Sequence, residues 1–88
     1  MAIPNDQMEY RRLGRSGLRV SALGFGSWVT FSKQVDVGSA VECMQAAHDA
    51  GCNFFDNAEV YEAGKSEQVM GLALRELAWP RWSYVLTT

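Results

Sequence analysis

Apolar residues along the chain change their spacing several times, and that spacing predicts which segments are helices and which are strands. One apolar stripe recurs every three to four positions, which is the period of an α-helix. Its members are Val37, Ala40, Val41, Met44 and Ala47. A second stripe with the same period comprises Val69, Met70, Ala73, Leu74 and Leu77. The sequence therefore predicts two amphipathic helices.

Residues at the ends of these stripes predict where each helix begins and ends. Asp36 suits the N-cap of the first helix, although Ser39 opens a competing capping box. Gly51 is a typical C-terminal stop. Ser66 is the predicted N-cap of the second helix, and Pro80 predicts that this helix has ended before it.

Short apolar stretches between turn residues predict the strands. The glycine-containing turn at 14–17 predicts a β-hairpin over residues 8–20. Further strands are predicted around Leu23, Phe54 and Leu86. Their centres recur about every 30 residues, which is the usual length of a βα unit. Alternation of strands and helices indicates an α/β fold with a parallel sheet and right-handed crossovers.

The pattern alone fits either an open doubly wound sheet or the start of a barrel. Consecutive βα units of one handedness place both helices on the same side of the sheet. The other side is then expected to face water with residues such as Leu23, Phe25 and Phe54. Because open strand edges are also left, we expect the chain to be a fragment of a longer protein.

Composition and charge exclude several classes of protein. The net charge of -2 gives no basic footprint for nucleic acid. No apolar run approaches the roughly 20 residues of a membrane span, and residues 1–10 lack the apolar core of a secretory signal. Cys43 and Cys52 have no metal-binding spacing. We therefore expect a cytoplasmic protein with reduced thiols, no metal site, no membrane insertion and no nucleic-acid partner.

Candidate chemistry lies where the predicted parallel strands end, since active groups of such sheets stand at the carboxyl ends. Ser27 and Trp28 follow the first of these strands, and Asp56 and Tyr61 follow the second. Asp56 is either a functional carboxylate or an N-cap or ion-pair residue. Tyr61 and Trp28 are either site residues or packing residues. His48 lies within the first helix and is interpreted as structural.

Several segments together resemble the aldo-keto reductase family. Residues 10–21 resemble its opening hairpin, residues 23–31 its first strand and cofactor loop, and residues 55–61 its segment with catalytic Asp and Tyr. Residues 64–67 resemble the start of the next helix, and residues 85–88 the third strand. The pieces Trp-Val-Thr-Phe and Ala-Glu-Val-Tyr are most similar to the branch that includes the β subunits of voltage-gated potassium channels and related reductases.

The resemblance implies a (β/α)₈ TIM barrel whose bottom is closed by the hairpin. The chain would be its N-terminal part, a partial domain over 1–88 with the hairpin at 8–20 and the first three barrel strands and two helices at 21–88. The resemblance also implies that NADPH reduces aldehydes or ketones to alcohols.

Site residues carry over by position within this resemblance. Tyr61 would be the general acid, and Asp56 would hold the charge of a lysine. Ser27, Trp28, Gln34 and Asp56 would contact the nicotinamide end of NADPH.

The resemblance further implies that the lysine follows Thr88 directly and that a histidine and the phosphate-binding loops come later. The 88-residue piece alone is therefore expected to be inactive. The alternative is a cofactor-binding regulatory protein, similar to potassium-channel β subunits, with little turnover. The expected partners of the full-length parent are a small carbonyl substrate and either a second copy or a channel-type protein.

Overall fold

A computed structural model of the chain describes residues 7–27, 36–58 and 60–88. The strands and α-helices within these residues are, in chain order, β1 (Tyr10–Arg12), β2 (Arg19–Ser21), β3 (Phe25–Gly26), α1 (Val37–Asp49), β4 (Phe54–Asp56), α2 (Lys65–Leu77) and β5 (Val85–Thr87). Short 3₁₀-helices at Tyr61–Gly64 and Arg81–Ser83 precede α2 and β5.

The strands form two separate sheets. β1 and β2 pair antiparallel as a hairpin, while β3, β4 and β5 form a parallel sheet in that order. The register places Gly26, Asp56 and Thr87 side by side across the parallel strands. The predicted hairpin and parallel α/β arrangement are confirmed.

The first helix begins and ends where the local sequence predicts. The Oδ1 atom of Asp36 accepts a hydrogen bond from the backbone N–H of Ser39 at 2.8 Å, so Asp36 is the N-cap. This backbone hydrogen bond, together with a side-chain hydrogen bond from Ser39, lowers the pKa of the Asp36 carboxyl, because both favour its charged form. The competing cap at Ser39 is wrong, since Ser39 lies within the helix. Beyond the helix, Gly51 adopts φ 99°, which favours glycine and stops the helix.

The second helix begins at a different cap from the predicted one. Its N-cap is Gly64, with φ 87°, whereas Ser66 lies inside the first turn and is fully buried. The Ser66 hydroxyl donates to the backbone oxygen of Ser27 at 3.3 Å. The predicted cap at Ser66 is therefore wrong, because its hydroxyl donates to Ser27, the residue that follows β3, and not to a backbone group of its own helix. The helix ends at Leu77, ahead of Pro80 as predicted.

Among the described residues, an apolar cluster fills the space between the parallel sheet and both helices. Its buried members are Ala40, Met44, Cys52, Phe55, Met70 and Ala73. Around it, the Trp79 ring lies 5.3 Å from the Phe55 ring and stacks on His48 at 4.1 Å. The interpretation of His48 as a structural residue agrees with this packing.

The register decides which side chains face the helices and which face away. Phe55 is fully buried on the helix side. Phe25 is its cross-strand partner and faces the same way, with the ring centroids 5.7 Å apart. The expectation that Phe25 lies on the opposite face is therefore wrong. Leu23 is 61% exposed, as expected. The face away from the helices carries alternate residues of β4 and β5, namely Phe54, Asp56, Val85 and Thr87.

The hairpin is tied to the amino ends of the parallel strands by side-chain hydrogen bonds. The Tyr10 hydroxyl donates to the backbone oxygen of Gly51 at 2.6 Å. Asn53 precedes β4, and its Oδ1 accepts from the N–H of Ser21 at 2.7 Å while its Nδ2 donates to the oxygen of Arg19 at 3.0 Å. These contacts place the hairpin at the amino edge of the parallel sheet, opposite the carboxyl ends of its strands.

Candidate functional site

The carboxyl ends of the parallel strands bring polar residues to one edge of the sheet. Ser27 follows β3, Asp56 ends β4 and Thr87 ends β5. Parallel strands present their carboxyl ends at the same edge, which is where barrel enzymes place their active sites. The sequence-based placement of Asp56 at such a strand end is confirmed.

Asp56 is held by both neighbouring strands. The Thr87 hydroxyl donates to Oδ1 of Asp56 at 2.6 Å. The Ser27 hydroxyl donates to the backbone oxygen of Asp56 at 3.0 Å. On the other side, the N–H of Asn57 donates to the backbone oxygen of Thr87 at 2.8 Å. The main chain and one carboxylate oxygen are therefore fixed, while Oδ2 has no hydrogen-bond partner among the described residues.

The purely structural alternatives for Asp56 lose support. Asp56 is not the N-cap of the following helix, because that position belongs to Gly64. Within the described part of the chain, the salt bridge is between Arg11 and Glu9, and no lysine or arginine reaches the Asp56 carboxylate. The Asp56 carboxylate is half-buried, and its Oδ2 atom, which has no protein partner among the described residues, can accept a hydrogen bond from water or from a ligand.

Ser27 connects this edge to the second helix. Its side chain is fully buried, and its backbone oxygen accepts from the buried Ser66 hydroxyl. A run of hydrogen bonds thus leads from α2 through Ser27 to the backbone of Asp56. The role of Ser27 as a cofactor contact stays a prediction.

Tyr61 stands on the connection that leaves this edge. It begins the 3₁₀-helix Tyr61–Gly64, and its backbone N–H donates to the oxygen of Ala58 at 3.1 Å. The residue is half-buried. Its proton-donor role stays a prediction. The predicted cofactor contacts Trp28 and Gln34 lie outside the described residues.

Two further polar residues, Thr87 and Asn57, lie near this edge. The sequence did not indicate a role for Thr87 there, and Asn57 does not face the edge. Thr87 was not singled out from the sequence, although it lies in the predicted third strand and its register brings it beside Asp56. Asn57 is buried and turns away from the edge, since its Nδ2 donates to Sδ of Met70 at 3.5 Å. The signal that could have found Thr87 is a hydroxyl residue at the carboxyl end of a parallel strand.

Among the described residues, no cluster of three or more His, Cys, Asp or Glu side chains is placed to hold a metal ion. Cys43 is exposed and Cys52 is buried, and both are free thiols. No helix in the described ranges has the length and apolar character needed to cross a membrane.

Comparison with known proteins decides the family. Residues 22–88 match the model of the Aldo/keto reductase family. The chain belongs to the aldo/keto reductase family.

Two plant relatives of this aldo/keto reductase chain are similar over nearly its whole length. A protein of Oryza sativa subsp. japonica named "Probable voltage-gated potassium channel subunit beta" is 57% identical over 81 residues, which cover 92% of this chain and 25% of the relative. A protein of Arabidopsis thaliana with the same name is 54% identical over 81 residues, with the same shares. The chain therefore spans about a quarter of the length of the curated relatives it matches.

Membership of the aldo/keto reductase family fixes the architecture to which these elements belong. The family has the (β/α)₈ barrel fold, and the parallel strands β3, β4 and β5 with helices α1 and α2 are successive βα units of that arrangement. The predicted fold class is confirmed. Aldo/keto reductases are oxidoreductases that generally use nicotinamide cofactors, which makes the carboxyl edge around Asp56 the candidate active site.

Proposed function

We propose that the chain is part of an NADPH-dependent reductase that converts aldehydes or ketones into alcohols. The observation that carries the proposal is the Asp56 carboxylate at the carboxyl edge of the sheet, with Oδ1 bonded to Thr87 and Oδ2 left for another partner. Tyr61 follows on the connection that leaves this edge. In barrel enzymes, catalytic groups come from this end of several strands, and stabilising residues from the other end.

The chemistry assigns each residue a task. When bound, NADPH supplies the hydride that reduces the carbonyl carbon. Negative charge then develops on the carbonyl oxygen, and a positioned proton donor stabilises it. Tyr61 gives its hydroxyl proton to that oxygen. Asp56 holds the ammonium group of a lysine expected after Thr88, and that cation stabilises the phenolate left behind.

The described residues fit the nicotinamide end of the cofactor. Gly26 carries no side chain, so β3 places no side-chain atoms beside the Asp56 carboxylate. Gly26 and Asp56 are cross-strand partners and face the same side. The unpaired Oδ2 can accept a hydrogen bond from a carboxamide N–H, which is the group that the nicotinamide ring carries.

Tyr61→Phe in the full-length protein tests the proposal. Removal of the proton donor is expected to lower kcat for an aldehyde by about 100- to 10,000-fold, while NADPH affinity in a fluorescence titration stays unchanged. Tyr84→Phe is the matched control, because Tyr84 packs edge-on against Trp79 away from the carboxyl edge. Equal activity of Tyr61→Phe and wild type would remove Tyr61 from the mechanism.

The second candidate is a cofactor-binding regulatory protein with little turnover. It is supported by the names of the two plant relatives, which describe potassium channel β subunits. A channel-type partner or a homo-oligomer, and a cytoplasmic location, belong with either candidate. Tight NADPH binding without reduction of a broad panel of aldehydes and ketones would favour this second function over the first.

A further inference from the structure

We propose that Thr87 is a positioning residue, whose hydroxyl holds the Asp56 carboxylate in the orientation that the site requires. The inference rests on the proposed function, since it assigns a task to a residue of that same site. In this proposal Thr87 acts through Asp56, to which its hydroxyl is bonded.

The contact has the geometry of a strong hydrogen bond. The distance of 2.6 Å from Oγ1 of Thr87 to Oδ1 of Asp56 lies in the range of about 2.5–2.7 Å for hydroxyl donors to charged carboxylates. Thr87 and Asp56 are direct cross-strand partners, so both side chains leave the sheet on the same face. The β-branched threonine has few side-chain rotamers, and its hydroxyl is therefore a stiff anchor.

Among the described contacts, only the Thr87 hydroxyl restricts the orientation of the Asp56 carboxylate. The hydrogen bonds of Ser27 and Asn57 fix only main-chain atoms of Asp56 and Thr87. Within the described residues, the carboxylate itself is bonded by Thr87 alone. By holding Oδ1, the hydroxyl determines where Oδ2 lies, and Oδ2 is the atom left for the lysine or the cofactor.

The alternative is a cross-strand contact that only stabilises the sheet. A positioning role predicts that loss of the hydroxyl lowers activity while stability is unchanged, whereas a purely stabilising contact predicts no loss of activity at unchanged stability. They also differ in what they predict for serine, which keeps the hydroxyl but loses the methyl group. Thr88 supplies a matched control, because it is the next residue, of the same type, and its hydroxyl donates to Glu67 instead of Asp56.

The experiment compares Thr87→Val, Thr87→Ser and Thr88→Val in the full-length protein. Thr87→Val is expected to lower kcat by about 10- to 100-fold, since a misplaced group costs rate more than binding, with little change in KM or Tm. Thr87→Ser should recover most of the lost rate, and Thr88→Val should resemble wild type. A kcat of Thr87→Val within twofold of wild type, or equal losses in Thr87→Val and Thr88→Val, would overturn the proposal.

A second readout does not depend on turnover. The carboxyl signal of Asp56 in a protein labelled with ¹³C-aspartate is assigned from its disappearance in Asp56→Asn. We expect this signal to move or broaden in Thr87→Val and to stay in place in Thr87→Ser and Thr88→Val. An unmoved signal in Thr87→Val refutes the positioning role. A moved signal in Thr87→Val, together with a wild-type protein that reduces no aldehyde or ketone, refutes the reductase function and leaves the Thr87 contact intact.

Discussion

The two ends of β4 carry polar residues of similar size, and the structure uses them in opposite ways. At the amino end, both polar atoms of the Asn53 side chain are bonded to the backbone of the hairpin. At the carboxyl end, one oxygen of Asp56 is bonded to Thr87, and the other has no partner among the described residues. Both polar atoms of the Asn53 side chain thus bond to the protein, whereas Asp56 retains one carboxylate oxygen for a ligand.

This difference teaches how a short strand can serve stability and chemistry at once. A buried polar group contributes most to stability when its hydrogen bonds are complete. A group kept for a ligand must leave a hydrogen bond unmade, and its cost is offset by contacts elsewhere. In this chain, Asn53 and Asp56 are separated only by Phe54 and Phe55. The comparison predicts that substitutions at the two ends affect different measurements.

The largest effect is expected from Asp56→Asn. Loss of the negative charge should reduce kcat/KM for an aldehyde by at least about 100-fold, equal to about 2.7 kcal/mol of transition-state stabilisation. The free energy of unfolding should change by less than about 1 kcal/mol, because an asparagine oxygen still accepts from Thr87. Steady-state kinetics and urea denaturation measure the two quantities. A large loss of stability with retained activity would reverse the assignment of the carboxyl edge.

A smaller effect, on stability alone, is expected from Asn53→Ala. The substitution leaves the part-buried N–H of Ser21 without its partner, while water can replace the bond to the exposed oxygen of Arg19. We expect the free energy of unfolding to fall by about 1–2 kcal/mol. Asn53→Asp keeps the acceptor and should lose less. Both variants should retain wild-type kcat/KM, and a loss of activity at full stability would contradict the division between the two edges.

The smallest effect is expected from Asp36→Asn at the exposed amino end of α1, and it concerns the pH dependence of stability. This position serves as a comparison because it lies away from both ends of β4. The lowered pKa of Asp36 means that its carboxylate stabilises the folded state above the unfolded-state pKa of 3.8. This contribution is lost as the pH falls from 3.8 through the lower folded-state pKa. Asp36→Asn caps the helix without titrating. The difference in urea midpoint between the two proteins should be constant above this window and change within it, and parallel curves would contradict the role of the charge.

Local sequence signals were sufficient for the first helix and insufficient for the second. Asp36 and Gly51 were predicted correctly because their backbone conformations and hydrogen bonds involve only nearby residues. The Ser66 hydroxyl could bond either to its own helix or to the oxygen of Ser27, and it bonds to Ser27. Which acceptor it uses depends on how α2 packs against the end of β3, and the local sequence carries no information about that packing. The side faced by Phe25 was also missed, because a strand of two residues is too short for alternation to reveal its phase.

The candidate site was predicted in part for a similar reason. The position of Asp56 follows from the end of its strand, and this end is visible in the sequence. The contact with Thr87 follows from the register between β4 and β5, which a one-residue shift would abolish. Tyr61 was placed correctly on the connection after β4, and its function stays a prediction.

The hydrogen bonds from Ser66 to Ser27 and from Ser27 to Asp56 have an evolutionary consequence. They anchor Asp56 and Ser66, which lie on either side of the connection between β4 and the first turn of α2. Loops with fixed ends tolerate substitution and insertion more readily than the elements they join. Variants of this chain can therefore differ in that connection outside Tyr61 and the buried Asn57, and with it in the shape of molecule admitted, while the carboxylate of Asp56 remains where it is.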